Sequence, residues 1–129
     1  MNSPARNAAT ILVVDDDALI NMNAVDMVEQ LGHVALEAYN GRDALAILAS
    51  EQAVDLMITD YAMPGMNGVE LATQARALRP GLPILLATGY SELPGGVEIA
   101  LPQLSKPYQQ VDLANHLLVL LNEQAPAAG

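Results

Sequence analysis

Ile11-Leu-Val-Val-Asp-Asp-Asp17 sets four β-favouring apolar residues directly against three carboxylates. A run that is apolar at every position, rather than at alternate ones, suits a strand whose sheet is covered on both faces. Helices supply that cover in a parallel α/β sheet, and the downstream residues agree. Ile20, Ala24, Met27, Val28 and Leu31 recur at three- and four-residue spacing, and Gly32 ends the helix they predict.

The alternation continues outward. His33 to Tyr39 reads as a second strand, and Asn40-Gly41 as a turn in which Asn40 caps a helix with the stripe Ala44, Leu45, Ile47 and Leu48. Leu56-Met-Ile-Thr59 is a third strand, running into Asp60 and the loop Tyr61-Ala-Met-Pro-Gly-Met-Asn-Gly68. Asn67 with Glu70 three residues on marks a capped helix start; Leu71, Ala75 and Leu78 give its stripe, and Pro80-Gly81 stops it. Ile84 to Ala87 and Gln103 to Ser105 are the fourth and fifth strands, and a last helix carries Leu113, Leu117, Leu120 and Leu121. Five strands alternating with helices predict a doubly wound parallel sheet. Between the last two strands, Pro94-Gly95-Gly96 leaves room only for a short or irregular fourth helix.

At 129 residues the chain fits one domain, read as 10–122 between loose ends at 1–9 and 123–129. Hydrophobic residues make up 52%, enough for a substantial core. Fifteen acidic against five basic residues give a net charge of −10, which argues against direct nucleic-acid binding and against docking on an anionic membrane. The absence of Cys removes disulfides, thiolate catalysis and thiolate metal sites. No signal or spanning segment is recognisable, so a cytoplasmic protein is expected.

Ligands of such sheets bind beyond the carboxyl ends of the strands. The residues delivered there are Asp15, Asp16 and Asp17 after the first strand, Asp60 after the third, Thr88 after the fourth and Lys106, the only lysine, after the fifth. Clustered carboxylates repel one another, and a hard divalent cation relieves that; oxygen donors without Cys or a nearby His suit Mg2+. An ammonium and a hydroxyl beside such an ion suit a phosphoryl group, for which a carboxylate can be the nucleophile. Taken singly, each residue has an ordinary explanation: a helix cap, a turn former, a loop start, a surface lysine. Their joint arrival at one edge favours the chemical reading.

The chain resembles the receiver domains of bacterial two-component response regulators. Val13-Val-Asp-Asp-Asp17, the block Ile58 to Gly68, Ala87-Thr-Gly89 and Leu104-Ser-Lys-Pro-Tyr108 carry the resemblance. It implies a flavodoxin-like sheet of order 2-1-3-4-5 and Asp60 as phosphoacceptor from a histidine kinase or histidine phosphotransfer domain. It implies Mg2+ on Asp16, Asp60 and the Ala62 backbone carbonyl, with Asp15 acting through water and Asp17 peripheral. Thr88 and Lys106 would hold phosphoryl oxygens, Lys106-Pro107 would be a cis peptide, and Gly89 would leave access open. Phosphorylation would switch partner binding or relay phosphate, catalysis being confined to the domain's own phosphorylation and dephosphorylation.

Gln103 stands where receivers usually carry an aromatic switch residue, which leaves the usual coupled motion without its ring. The weak fourth helix would alter a face that commonly serves output and dimerisation; a weak homodimer is carried as an expectation. No output domain is expected within the chain, and the Thr88-Gly89-Tyr90 loop resembles hybrid-kinase receivers and certain single-domain alphaproteobacterial ones. Tyr61 and Tyr90 flank the site as candidate gates; His33, His116 and Met22, Met27, Met57, Met63 and Met66 are read as structural. Two other functions compete: a Mg2+-dependent aspartyl-phosphate phosphatase, and an unphosphorylated pseudo-receiver that only binds partners.

Overall fold

A computed structural model describes residues 8–89 and 100–124. Five parallel strands form one sheet: β1 (Thr10–Val14), β2 (Val34–Ala38), β3 (Leu56–Asp60), β4 (Ile84–Thr88) and β5 (Gln103–Ser105). Their spatial order is β2-β1-β3-β4-β5, as the doubly wound reading requires. The described helices are α1 (Ala18–Gln30), α2 (Gly41–Ala49), α3 (Gly68–Leu78) and α4 (Gln110–Gln124).

The uninterrupted apolar runs have the expected cause. Successive side chains of a strand point to opposite faces, so Ile11 and Val13 enter a core shared with α1 and α4. Leu12 and Val14 enter a second core, against α2 and α3. All five residues of β3 and all five of β4 are buried, so these strands form the interior of the sheet.

Helix starts follow the sequence. The Asn40 side chain accepts the Asp43 N–H at 2.7 Å, and Asn67 with Glu70 forms a complete capping box. Gly32 and Gly81, with φ of 94° and 84°, turn the chain where helices end.

Several expectations need correction. The buried face of α1 is Asn21, Ala24, Val25 and Val28, while Ile20, Met27 and Leu31 are only half-buried. Apolar periodicity misses this rotation because it gives an asparagine no weight. Leu78, expected in the α3 stripe, is 44% exposed; Ala72 takes its place. Met22 is exposed rather than filling the core, whereas Met57 and Met63 are buried. Residue 9 is not loose: Ala9 is buried, its N–H donates to His33 Nδ1 at 2.9 Å and its carbonyl accepts from Val34. α4 continues to Gln124, past the expected boundary. Of the expected irregular fourth helix, read over Ser91 to Pro102, residues 91–99 lie outside the described residues, as do Tyr90, 1–7 and 125–129.

Candidate functional site

Strand register assembles the acidic edge. Val14 pairs with Thr59, so the next residues, Asp15 and Asp60, emerge side by side from β1 and β3. Asp60 pairs with Ala87 and Thr88 with Ser105, which brings Thr88 and Lys106 to the same edge. The Lys106 N–H donates to the Thr88 carbonyl at 2.8 Å and holds the ends of β4 and β5 together.

Asp15, Asp60 and Thr88 are buried, and Asp16 is exposed. Carboxylate oxygens of Asp15, Asp16 and Asp60 all lie within 4.8 Å of one another. The Lys106 ammonium donates to Asp60 Oδ1 and lies 3.8 Å from Asp15 Oδ2. Among the described residues, one cation thus faces three carboxylates, an excess of negative charge that a divalent cation would meet. Burial pushes the Asp15 carboxyl above its ordinary range, against the pull of the Asp17 N–H and of Lys106. These hard oxygen donors fit Mg2+, and the described acidic group includes no His.

Asp17 stands apart from this group. Its Oδ1 accepts the Leu19 and Ile20 N–H groups at 3.0 and 3.2 Å, making it the N-cap of α1. Ala62 lies two residues past Asp60 in an exposed part of the loop, and Tyr61 beside it is half-buried. Gly89 follows Thr88 and is half-buried. The Lys106-Pro107 peptide is cis. Gln103 opens β5 exposed to solvent, so the residue at the aromatic position does not enter the core. His33 and His116 lie away from the acidic edge: His33 bonds Ala9 at the opposite end of β1, and His116 contacts the Asp112 carbonyl one turn back on α4.

Sequence reasoning gave no role to two residues that shape the site. Tyr108 packs on the core beside α4; burial first, and then the Asp15 and Asp60 charges, push its phenol up to about 12. Its signal was its place in the motif block, as the aromatic residue two positions past the lysine. Gly68 begins α3 directly behind Asp60, where an added Cβ would stand 2.5 Å from the Asp60 carbonyl oxygen and 2.6 Å from Leu86 Cδ1. It is the last glycine of the Pro/Gly loop and could have been suspected as a close-approach position. A groove of about 990 Å³ lies between α4 and the α3–β4 turn, lined by Leu31, His33, Asp55, Arg79 and Leu117 among others. It sits at the amino ends of the strands and brings none of the acidic-edge residues together.

Comparison with known proteins places this geometry in a family. The model of the response regulator receiver domain matches residues 11–118. The response regulator receiver protein CpdR of Brucella abortus is 32% identical over 115 residues, 86% of this chain and 95% of that protein. The sensor kinase CckA of the same organism is 29% identical over 124 residues, 91% of this chain but 13% of the kinase. Across three longer curated relatives the chain spans between 13% and 53% of their length. Among solved structures, a response regulator receiver domain protein from Clostridium thermocellum superimposes with a TM-score of 0.82 at 27% identity, covering 90% of this chain and 96% of that one. No described helix is long and apolar enough to cross a membrane. With the sheet order, the acidic edge and the matched span in agreement, the chain belongs to the response regulator receiver domain family.

Proposed function

We propose that this receiver domain is a phosphoacceptor in a two-component His-Asp relay, with Asp60 as the residue phosphorylated. One observation carries the reading: the only lysine of the chain donates to the buried Asp60 inside a three-carboxylate cluster. A histidine kinase or histidine phosphotransfer domain is the donor class. A carboxylate oxygen of Asp60 attacks phosphorus, a P–O bond forms, and the P–N bond to the donor imidazole breaks, the electron pair leaving with the ring nitrogen.

Asp16, Asp60 and the Ala62 carbonyl would hold Mg2+, with Asp15 acting through water. The ion, when bound, supplies positive charge to the oxygens of the transferring group. Lys106 compensates Asp60 before transfer and then neutralises a phosphoryl oxygen; the Thr88 hydroxyl donates to another. Gly89, without a side chain, leaves the approach open, and Pro107 fixes the chain beyond Lys106. The accumulated charge on Asp60 would bias an equilibrium between surface conformations or be passed onward. Catalysis is confined to the domain's own phosphorylation and dephosphorylation. Asp17 is occupied as a helix cap, which deprives the phosphatase alternative of a spare carboxylate.

Incubation with Mg2+ and acetyl phosphate should add one phosphoryl group, read by intact mass and removed by hydroxylamine. Asp60→Ala should take up none. Wild-type protein that stays unmodified under these conditions would overturn the reading.

A further inference from the structure

Asn21 lies on the buried face of α1 with no exposed surface, among Ala24, Val25 and Val28. Its Nδ2 lies 3.0 Å from the Ala38 carbonyl, 3.2 Å from the Asp15 carbonyl and 3.5 Å from that of Val13. An amide nitrogen carries two protons, so the two shorter contacts take them. Because carbonyls surround this end of the side chain, only the nitrogen can occupy it. The other end, Oδ1, is buried and has no hydrogen-bond partner among the described residues.

A buried orphan acceptor is costly, and the neighbouring positions of the face are apolar. What the amide supplies is local. Ala38 and Asp15 lie at the carboxyl ends of β2 and β1, and the Ala38 carbonyl also accepts the Asp15 N–H at 3.2 Å. The Asp15 carboxylate in turn accepts the Asp17 N–H at 2.9 Å. The Asp15 carbonyl belongs to the peptide that leads into Asp16. With Asn21 in place, N–H, carbonyl and carboxylate of Asp15 each have a hydrogen-bond partner at the end of β1.

We infer that Asn21 is a positioning residue, whose amide fixes the Asp15–Asp16 peptide and so aims both carboxylates at the cation site. The inference rests on the cation reading above for its purpose but not for its geometry. A positioning partner of this kind typically changes metal affinity by about tenfold when removed.

The test compares Asn21→Leu and Asn21→Ala with Val28→Ala, which disturbs the same helix face without touching the three carbonyls. Mg2+ affinity is measured by calorimetry, and amide exchange at residues 15–17 is measured without metal. Both Asn21 variants should bind Mg2+ about tenfold more weakly and exchange faster at residues 15–17. Val28→Ala should match wild type in both readouts. Unchanged affinity and exchange in the Asn21 variants, or equal losses in Val28→Ala, would overturn the inference. A wild-type protein that takes up no Mg2+ would overturn the cation reading instead, and metal-free exchange would still decide whether Asn21 fixes the peptide.

Discussion

The Lys106–Asp60 pair illustrates how one residue serves two ends. Asp60 is buried, and Lys106 keeps 18% of its side chain in water, so the pair loses much hydration and recovers it through contact. Lys106→Met would leave Asp60 and Asp15 facing each other without their cation. Urea unfolding at neutral pH without Mg2+ should show a loss of about 2–3 kcal/mol, and added Mg2+ should recover part of it. Phosphorylation by acetyl phosphate should slow on the order of a hundredfold, the typical effect of removing one charge-stabilising donor. Tyr108 offers a spectroscopic check on the same electrostatics. Its phenol, pushed up to about 12, should give an ultraviolet titration step near that pH, and Tyr108→Phe should remove that step. Because the folded value lies above the ordinary 10.0, the unfolded chain releases its proton first, and stability falls as pH rises from 10.0 towards 12.

Elements rather than single residues decide how tightly Asp60 is held. The start of α3 presses on the end of β3 through Gly68, whose N–H donates to the Tyr61 carbonyl at 2.8 Å. Alanine is the better helix former, so propensity alone favours Gly68→Ala by about 1 kcal/mol. The contact with the Asp60 backbone reverses that sign. Thermal unfolding of Gly68→Ala should show a net loss of about 1–3 kcal/mol, with slower phosphorylation of a displaced Asp60. Asn67→Ala, which loses the capping box but makes no clash, should cost about 1 kcal/mol and leave phosphorylation nearly unchanged. The two neighbours separate helix stability from placement of Asp60. Such details mark what the sequence could tell. Strands were readable because two-sided burial writes itself as an unbroken apolar run, and caps because Asn67 and Glu70 stand at a diagnostic spacing. The rotation of α1 was not, since a buried Asn21 looks like a surface residue until its carbonyl partners are known. Leu78 likewise fits the helical period yet falls beyond the edge of the core.

At the scale of the molecule, the acidic edge lies at one end of the sheet and the His33–Ala9 tie at the other. His33 Nδ1 accepts the Ala9 N–H and must be neutral to do so; burial lowers its pKa from 6.5, while Asp55 pulls the other way. The unfolded chain therefore binds the proton first as pH falls, and stability declines from 6.5 towards the lowered value. Urea midpoints across that window should fall for wild type and stay flatter for His33→Asn, whose amide oxygen can still accept from Ala9. The acidic edge itself was legible because chemistry at the ends of strands survives translation into residue order. The tie at the other end was not, because it joins Ala9 to His33 through a partnership only the sheet creates. The sheet also gives Asp60 and Lys106 unequal footing. Asp60 ends the central strand, braced by neighbours on both sides, whereas Lys106 leaves β5, a three-residue edge strand with only Leu104 buried. Asp60 is thus mounted on a strand hydrogen-bonded on both sides, and Lys106 follows a shorter one hydrogen-bonded to β4. A change of charge at Asp60 is therefore expected to displace Lys106 and β5, paired on one side among the described strands, more readily than Asp60 and β3, paired on both.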